Sequence, residues 1–181
     1  MNKLIVLGII FLTFCNCKSP EARRPISVSS GSFIDISVER NKQLNEQEES
    51  IIESIISKDT SNVYFASENG FWYFYNTKIE NDSIPTPNFG DIVNFNYGTK
   101  HLDGSTIYSK EENGMQNYAM DQQELFTGLR EGLKLMKAGE TVTFLFPSQK
   151  AFGYYGDNNK IGTNVPLKCE VTINSITEVN Q

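Results

Sequence analysis

The stretch Asp121-Gln-Gln-Glu-Leu-Phe-Thr-Gly-Leu-Arg-Glu-Gly-Leu-Lys-Leu-Met-Lys-Ala-Gly139 decides how this chain folds. Leu125, Phe126, Leu129, Leu133 and Met136 recur at helical spacing and form one apolar face. Asp121, followed three residues on by Glu124, is a capping-box start in which the Asp carboxylate accepts from the first amides. Lys134 and Lys137 suit the negative end of the helix dipole, and Gly139 stops the helix. Gly128 and Gly132 each cost about 1 kcal/mol relative to Ala inside a helix. Four residues apart, they leave a smooth strip on which a sheet can lie close.

The flanking sequence supplies that sheet. Gly70-Phe-Trp-Tyr-Phe-Tyr-Asn76 reads as an aromatic strand, after which Asn81-Asp-Ser83 and Pro85-Thr-Pro87 mark a turn and an extended approach. In Asp91 to Tyr97 the period is two, with Val93, Phe95 and Tyr97 on one face and Asn94 and Asn96 on the other. Asp103-Gly104 is a hairpin signal. Glu140 to Phe146 alternates through Val142, Phe144 and Phe146. Leu167, Cys169, Val171 and Ile173 alternate against Lys168, Glu170, Thr172 and Asn174. Strands, one helix, then strands give an α+β fold in which an antiparallel sheet covers a single short helix.

Upstream, Asn41 to Lys58 carries Leu44, Ile51, Ile52, Ile55 and Ile56 at helical spacing, in a stripe interrupted by Glu48. Thr60-Ser61-Asn62 ends it. Residues 4–14, an apolar run behind Lys3, have the form of a signal-peptide h-region and are too short to span a bilayer. The run ends at cysteines and resembles a bacterial lipoprotein signal, in which an acylated cysteine becomes the first mature residue. Cys17 is the expected lipidation site and Cys15 the alternative. Lys18 to Ser32 is rich in Ser, Pro, Arg and Gly and reads as a tether. The resulting plan is a signal peptide at 1–16, a flexible tether at 17–32, a helical extension at 33–69 and a sheet domain at 70–181.

Composition excludes several chemistries. The 181 residues hold 16 basic and 22 acidic side chains, a net charge of −6, which disfavours a nucleic-acid partner. With one histidine, His101 beside the turn, a multi-histidine metal site is impossible, and no nucleophile-and-base pair stands out. Asp157-Asn158-Asn159 lacks the rest of a calcium loop. Two of three cysteines fall within the first 17 residues, so no stapled disulfide fold is available. What remains is a set of aromatics suited to an apolar pocket, or equally, on spacing alone, to a core.

Motifs from Gly90 to Val179 resemble the FKBP-type peptidyl-prolyl isomerase domain. Gly90-Asp-Ile-Val-Asn-Phe-Asn-Tyr97 with Asp103-Gly104 is similar to its opening strand and turn. Leu125-Phe126-x-Gly128-Leu129-x-Glu131-Gly132-Leu133 is similar to its central helix. Ala151-Phe152-Gly153 with Gly156 is similar to its flap, and Val165-Pro166-Leu167 to its closing strand. The lipoprotein signal, Pro20-Glu-Ala-Arg-Arg-Pro25 and Gly70-Phe-Trp-Tyr73 add a likeness to FKBP-type lipoproteins associated with gliding motility.

This resemblance implies a half-barrel antiparallel sheet wrapped on one short helix, behind an N-terminal helical extension. It implies cis/trans isomerisation of X-Pro bonds without cofactor or metal. Tyr97, Phe126 and Phe152 would be the catalytic set, with the Phe126 backbone N–H holding a substrate carbonyl. Ile107, Tyr108, Tyr118, Leu125, Leu129 and Cys169 would line the substrate site. The family usually has Asp at position 108, Phe at 107 and Trp at 129, and a further Phe is replaced by Cys169. These departures imply modest activity and altered macrolide binding. The implied partners are proline-containing polypeptide clients and, through the acylated cysteine, a lipid bilayer. The implied location is the bacterial cell envelope, facing the periplasm. A non-catalytic scaffold role in an envelope machine is the alternative.

Overall fold

The computed structural model describes residues 31–179, so residues 1–16, both candidate lipidation cysteines and nearly all of the tether lie outside the described residues. The chain divides into two compact units, Met1–Ile36 and Ser37–Gln181. Of the first, only the opening of a helix is described. Among the described residues no helix is long and apolar enough to cross a membrane.

Helix α1 runs Gly31–Lys58, starting ten residues upstream of the Asn41 to Lys58 segment read as helical, and takes the last two residues assigned to the tether. Residues 32–40 hold neither Pro nor Gly, so nothing local stops the helix from extending. It ends where Asp59 turns the chain. The Asp59 carboxylate accepts from the Ser61 amide, the Asn62 side chain and the Tyr64 hydroxyl.

Seven strands follow: β1 (Phe65–Ser67), β2 (Phe71–Thr77), β3 (Ile92–Lys100), β4 (Thr106–Tyr108), β5 (Met115–Ala119), β6 (Thr141–Phe146) and β7 (Leu167–Thr177). β1 lies within the 33–69 extension, beyond the break at Thr60-Ser61-Asn62. It forms because Phe65 stacks on Tyr73 across the β1–β2 pair, with ring centroids 5.5 Å apart. The strand order is β1-β2-β6-β7-β3-β4, with β5 also on β3, and every pairing is antiparallel. Long strand β3 is shared, its first half pairing with β5 and its end with β4.

Two short helices complete the fold. α2 (Lys110–Asn113) opens on a capping box in which Ser109 and Glu112 exchange hydrogen bonds. Glu112 is the N3 member of this box, its carboxylate accepting from the Ser109 N–H. α3 (Thr127–Leu133) is the central helix, its N-cap at Phe126 rather than at Asp121, so that it starts five residues later than the capping-box reading implies. Asp121 has a left-handed backbone (φ 59°) and caps nothing. Gln123 explains the delay. Its side chain accepts from the Ala119 amide and its carbonyl from the Tyr118 hydroxyl, which holds the chain in a turn off β5. Asp121 instead pairs with Lys134 at 3.0 Å.

α3 presses Leu129 and Leu133 into the sheet, where Val93, Phe95, Phe144, Phe146, Leu167 and Val171 are also buried. β6 departs from simple alternation, because Thr143 and Leu145 on its outer face are buried as well. Cross-strand pairing sets them beside Phe74 and Trp72, and Ile52 of α1 is likewise buried outside the main core.

The two helix glycines mark where α3 and β6 meet. A Cβ on Gly128 would stand 2.6 Å from the Phe146 ring and 2.7 Å from the Lys150 carbonyl, and one on Gly132 2.9 Å from the Phe144 ring. Gly128→Ala gains up to about 1 kcal/mol of helix propensity but drives a methyl into backbone. Overpacking of this kind costs about 1–3 kcal/mol, so a net loss of stability is expected. A urea titration checks the sign, and an unchanged or raised midpoint would contradict this contact.

Candidate active site

Phe126 ends the approach to α3 in an extended conformation (φ −62°, ψ 143°) and serves as N-cap without a side-chain bond. Its carbonyl accepts from Arg130 N. Its own N–H has no protein acceptor among the described residues. The ring of Phe126 stands edge-on to Phe146 at 5.6 Å and beside Phe152 at 5.1 Å. Phe152 is carried by the segment after β6, where a 3-10 turn at Ser148–Lys150 leads into Ala151-Phe152-Gly153. Gly153 adopts φ 56° there. Tyr97 comes from the middle of β3, half-buried beside Phe95.

These side chains enclose an open cleft of about 550 Å³. Tyr97, Leu125, Phe126 and Phe152 give it apolar walls, and Gln123, Glu124 and Arg130 form a polar rim. Arg130 Nε lies 3.6 Å from Asp121 and 3.4 Å from Glu131, within ion-pairing range but outside hydrogen-bond geometry. Burial pushes the Tyr97 phenol up to about 12, with Cys169 and Tyr108 adding to the shift. At any working pH it is therefore a neutral ring with a proton to donate.

The remaining residues singled out from sequence, Ile107, Tyr108, Tyr118, Leu129 and Cys169, do not line this cleft and belong to the core cluster or pack against it. Leu129 is fully buried at the first turn of α3, and Ile107 and Tyr118 are buried in the core. Cys169 is fully buried on β7, and burial pushes its thiol up to about 12, leaving a small apolar side chain. Tyr108, on β4, packs at the core margin with its hydroxyl already engaged. It donates to Asp157 Oδ2 at 2.5 Å and accepts from the Lys160 amide at 3.2 Å. The Lys160 ammonium lies 4.8 Å from the centre of the Tyr108 ring and pairs with Glu112.

Sequence reasoning missed Ile161, which is buried in the same core cluster, and the rim residues Gln123, Glu124 and Arg130. It also missed the task of Asp157. That carboxylate is a loop clasp, accepting from Tyr108 and from the Asn159 and Ile161 amides. A local signal existed in the Asx-turn pattern of Asp157-Asn158-Asn159, but nothing local points to a tyrosine 49 residues away.

The family profile described as FKBP-type peptidyl-prolyl cis-trans isomerase matches residues 85–174. This segment belongs to that family. Over 87 residues the chain is 32% identical to a probable FKBP-type peptidyl-prolyl cis-trans isomerase, FkpA, of Neisseria meningitidis serogroup B. That alignment covers 48% of this chain and 32% of the relative, so the chain spans about a third of that protein's length. Among solved structures, FkpA from Escherichia coli superposes with a TM-score of 0.60 at 21% identity, over 99% of this chain and 83% of that one. A peptidyl-prolyl cis-trans isomerase from Pseudomonas syringae pv. tomato gives 0.59 at 18% identity, over 76% of this chain and 96% of that one. At these identities the structural likeness carries the fold. The FKBP-type segment starts at residue 85, so β1, β2 and α1 all precede it.

The Asp157 clasp gives the FKBP-type domain a pH signature. Burial works to raise the Asp157 carboxyl, but the hydrogen bonds from Tyr108 and the two amides outweigh it and hold the pKa below the usual 3.8. A depressed carboxyl stabilises the fold fully above its unfolded value and loses that contribution as pH falls through the lower folded value. Tyr108→Phe removes one of the bonds, so the Asp157 pKa is expected to rise toward 3.8. Carboxyl carbon NMR titration reads this directly, and an unshifted Asp157 in the variant would show that the bond does not matter.

Proposed function

We propose that this chain catalyses cis/trans isomerisation of X-Pro bonds in proline-containing polypeptides. The observation that carries the reading is the cleft itself, with aromatic walls of Tyr97, Phe126 and Phe152 and a Phe126 N–H that finds no protein acceptor among the described residues. Rotation about an amide must give up resonance, against a barrier of about 18–20 kcal/mol. The planar amide is more polar than the twisted one. An apolar site that replaces water around it therefore favours the twisted form, provided that binding elsewhere holds the peptide. The Phe126 N–H donates to a substrate carbonyl and fixes one side of the bond while the other turns. Each tenfold in rate requires only about 1.4 kcal/mol of such preference.

The N-terminal sequence supports a wider reading. An apolar run behind Lys3 that ends at Cys15 and Cys17 is suited to lipid anchoring, with the domain facing the periplasm as a folding helper for exported proteins. Slow X-Pro isomerisation limits folding there as elsewhere. The resemblance of the N-terminal sequence to gliding-motility lipoproteins supports motility or secretion proteins as candidate clients. Mass spectrometry of the mature protein is expected to find acyl chains on Cys17, and a chain that keeps Met1 without acyl chains would overturn the anchor.

Exchange NMR on an X-Leu-Pro-Phe peptide tests the activity. Acceleration is expected, with Tyr97→Ala and Phe152→Ala each lowering kcat/KM about tenfold or more, equivalent to roughly 1.4 kcal/mol of transition-state binding. Acceleration untouched by both substitutions would place the site elsewhere. A folded chain that accelerates nothing would mark the domain as a binding module.

A further inference from the structure

Glu48 lies on the face of α1 turned to the sheet domain, only 3% exposed, and is the residue that interrupts the apolar stripe. Its Oε2 accepts from the Ser148 backbone N–H at 2.7 Å and its Oε1 from the Ser148 hydroxyl at 2.7 Å, across 100 residues of chain. Beside it, Asn45 donates to Gln149 at 3.1 Å. Ser148 opens the 3-10 turn that carries Phe152. The Ser148 carbonyl accepts from Ala151 N at 3.0 Å and from Gly153 N at 2.8 Å, the two amides that bracket Phe152. Every hydrogen-bonding group of Ser148 is therefore used, two toward Glu48 and one toward the peptide that presents the cleft wall.

We propose that Glu48 is a positioning residue for the isomerase site, holding Phe152 in place through Ser148. This rests on the isomerase reading above. A buried carboxylate is a costly way to attach a helix, because apolar residues of similar volume serve as well or better. α1 already buries Ile52. What a carboxylate adds is direction, since two short charge-assisted bonds fix one residue where apolar contact fixes only a surface. The residue they fix opens the turn that leads to Phe152. The consequence is a site completed from outside the FKBP-type segment, which begins at residue 85, by a helix that ends at Lys58.

The test uses the full chain in detergent with three substitutions. Glu48→Leu keeps an apolar helix former and removes both acceptors. Glu48→Gln keeps one acceptor for the Ser148 N–H and offers an amide donor to its hydroxyl oxygen. Ser148→Ala removes only the hydroxyl bond. Expected for Glu48→Leu is about a tenfold fall in kcat/KM, mostly in KM, with shifted Phe152 ring resonances. Ser148→Ala should fall between it and the wild type, and Glu48→Gln should keep most of the activity. In a Phe152→Ala background, Glu48→Leu should cost nothing further.

Wild-type kcat/KM and unshifted Phe152 resonances in folded Glu48→Leu would overturn the proposal, as would a loss that adds fully to that of Phe152→Ala. Should Glu48→Leu not fold, unshifted Phe152 resonances in Ser148→Ala overturn it in the same way. Should the wild type show no isomerase activity, the functional reading fails alone. The Phe152 resonances still decide whether Glu48 positions that ring.

Discussion

The contact between α3 and β6 is made at a distance that only glycine allows. Gly128 and Gly132 expose helix backbone to the rings of Phe146 and Phe144, which are themselves stacked 5.4 Å apart and nearly parallel. That approach brings the N-cap of α3 over the end of β6. Phe126 can then touch both Phe146, at the end of β6, and Phe152, on the segment that follows it. With a wider spacing the Phe126 N–H and the Phe152 ring would not share one cleft. The weak helix propensity of Gly128 and Gly132 is thus offset by the packing they permit, and the site is a by-product of that packing.

A second theme is the use of buried carboxylates as loop anchors. Glu48 binds Ser148, Asp91 accepts from the Asn88 and Val179 amides, and Glu140 accepts from the Ile79 and Lys137 amides. Asp157 does the same for its own loop and Tyr108. Backbone amides in irregular segments have no ladder to join and must find acceptors if they are to be buried. A carboxylate offers two oxygens and can hold two such donors at once. The polar groups of this core are therefore where the irregular connections are fixed, while the aromatic and aliphatic groups hold the sheet to the helix.

That division explains what the sequence made legible. β3 alternates over Ile92–Asn96 and β7 over Leu167–Ile173, so Val93, Phe95, Cys169 and Val171 could be placed inside by period alone. The glycines of α3 declared a close-packed helix. The start of α3 was misplaced because a turn held by Gln123 overrides a local capping pattern at Asp121, and tertiary context outranks propensity there. Glu48 looked like a flaw in an amphipathic stripe, and its partner lies 100 residues away. Tyr97, Phe126 and Phe152 were named through family likeness, since spacing alone does not tell a pocket aromatic from a core aromatic. Ile161 and the rim residues had no periodic signal at all.

A site that works by excluding water and holding one amide plane has different needs from a site that moves protons. It needs no group poised near neutral pH, and the phenol in this cleft is pushed far from it. It needs walls that do not yield when a peptide enters, because preference for a twisted amide vanishes if the pocket relaxes around the planar one. Of the three aromatic walls, Tyr97 is held within strand β3, and Phe126 stands at the N-cap of α3. Phe152 sits on the segment after β6, which is tied at several points: the Ser148 carbonyl accepts from Ala151 N and Gly153 N, Glu48 of α1 accepts from Ser148, and the Gly153 carbonyl accepts from Asn164 N. On the proposed isomerase reading, these bonds supply the rigidity that the chemistry would demand of the Phe152 wall.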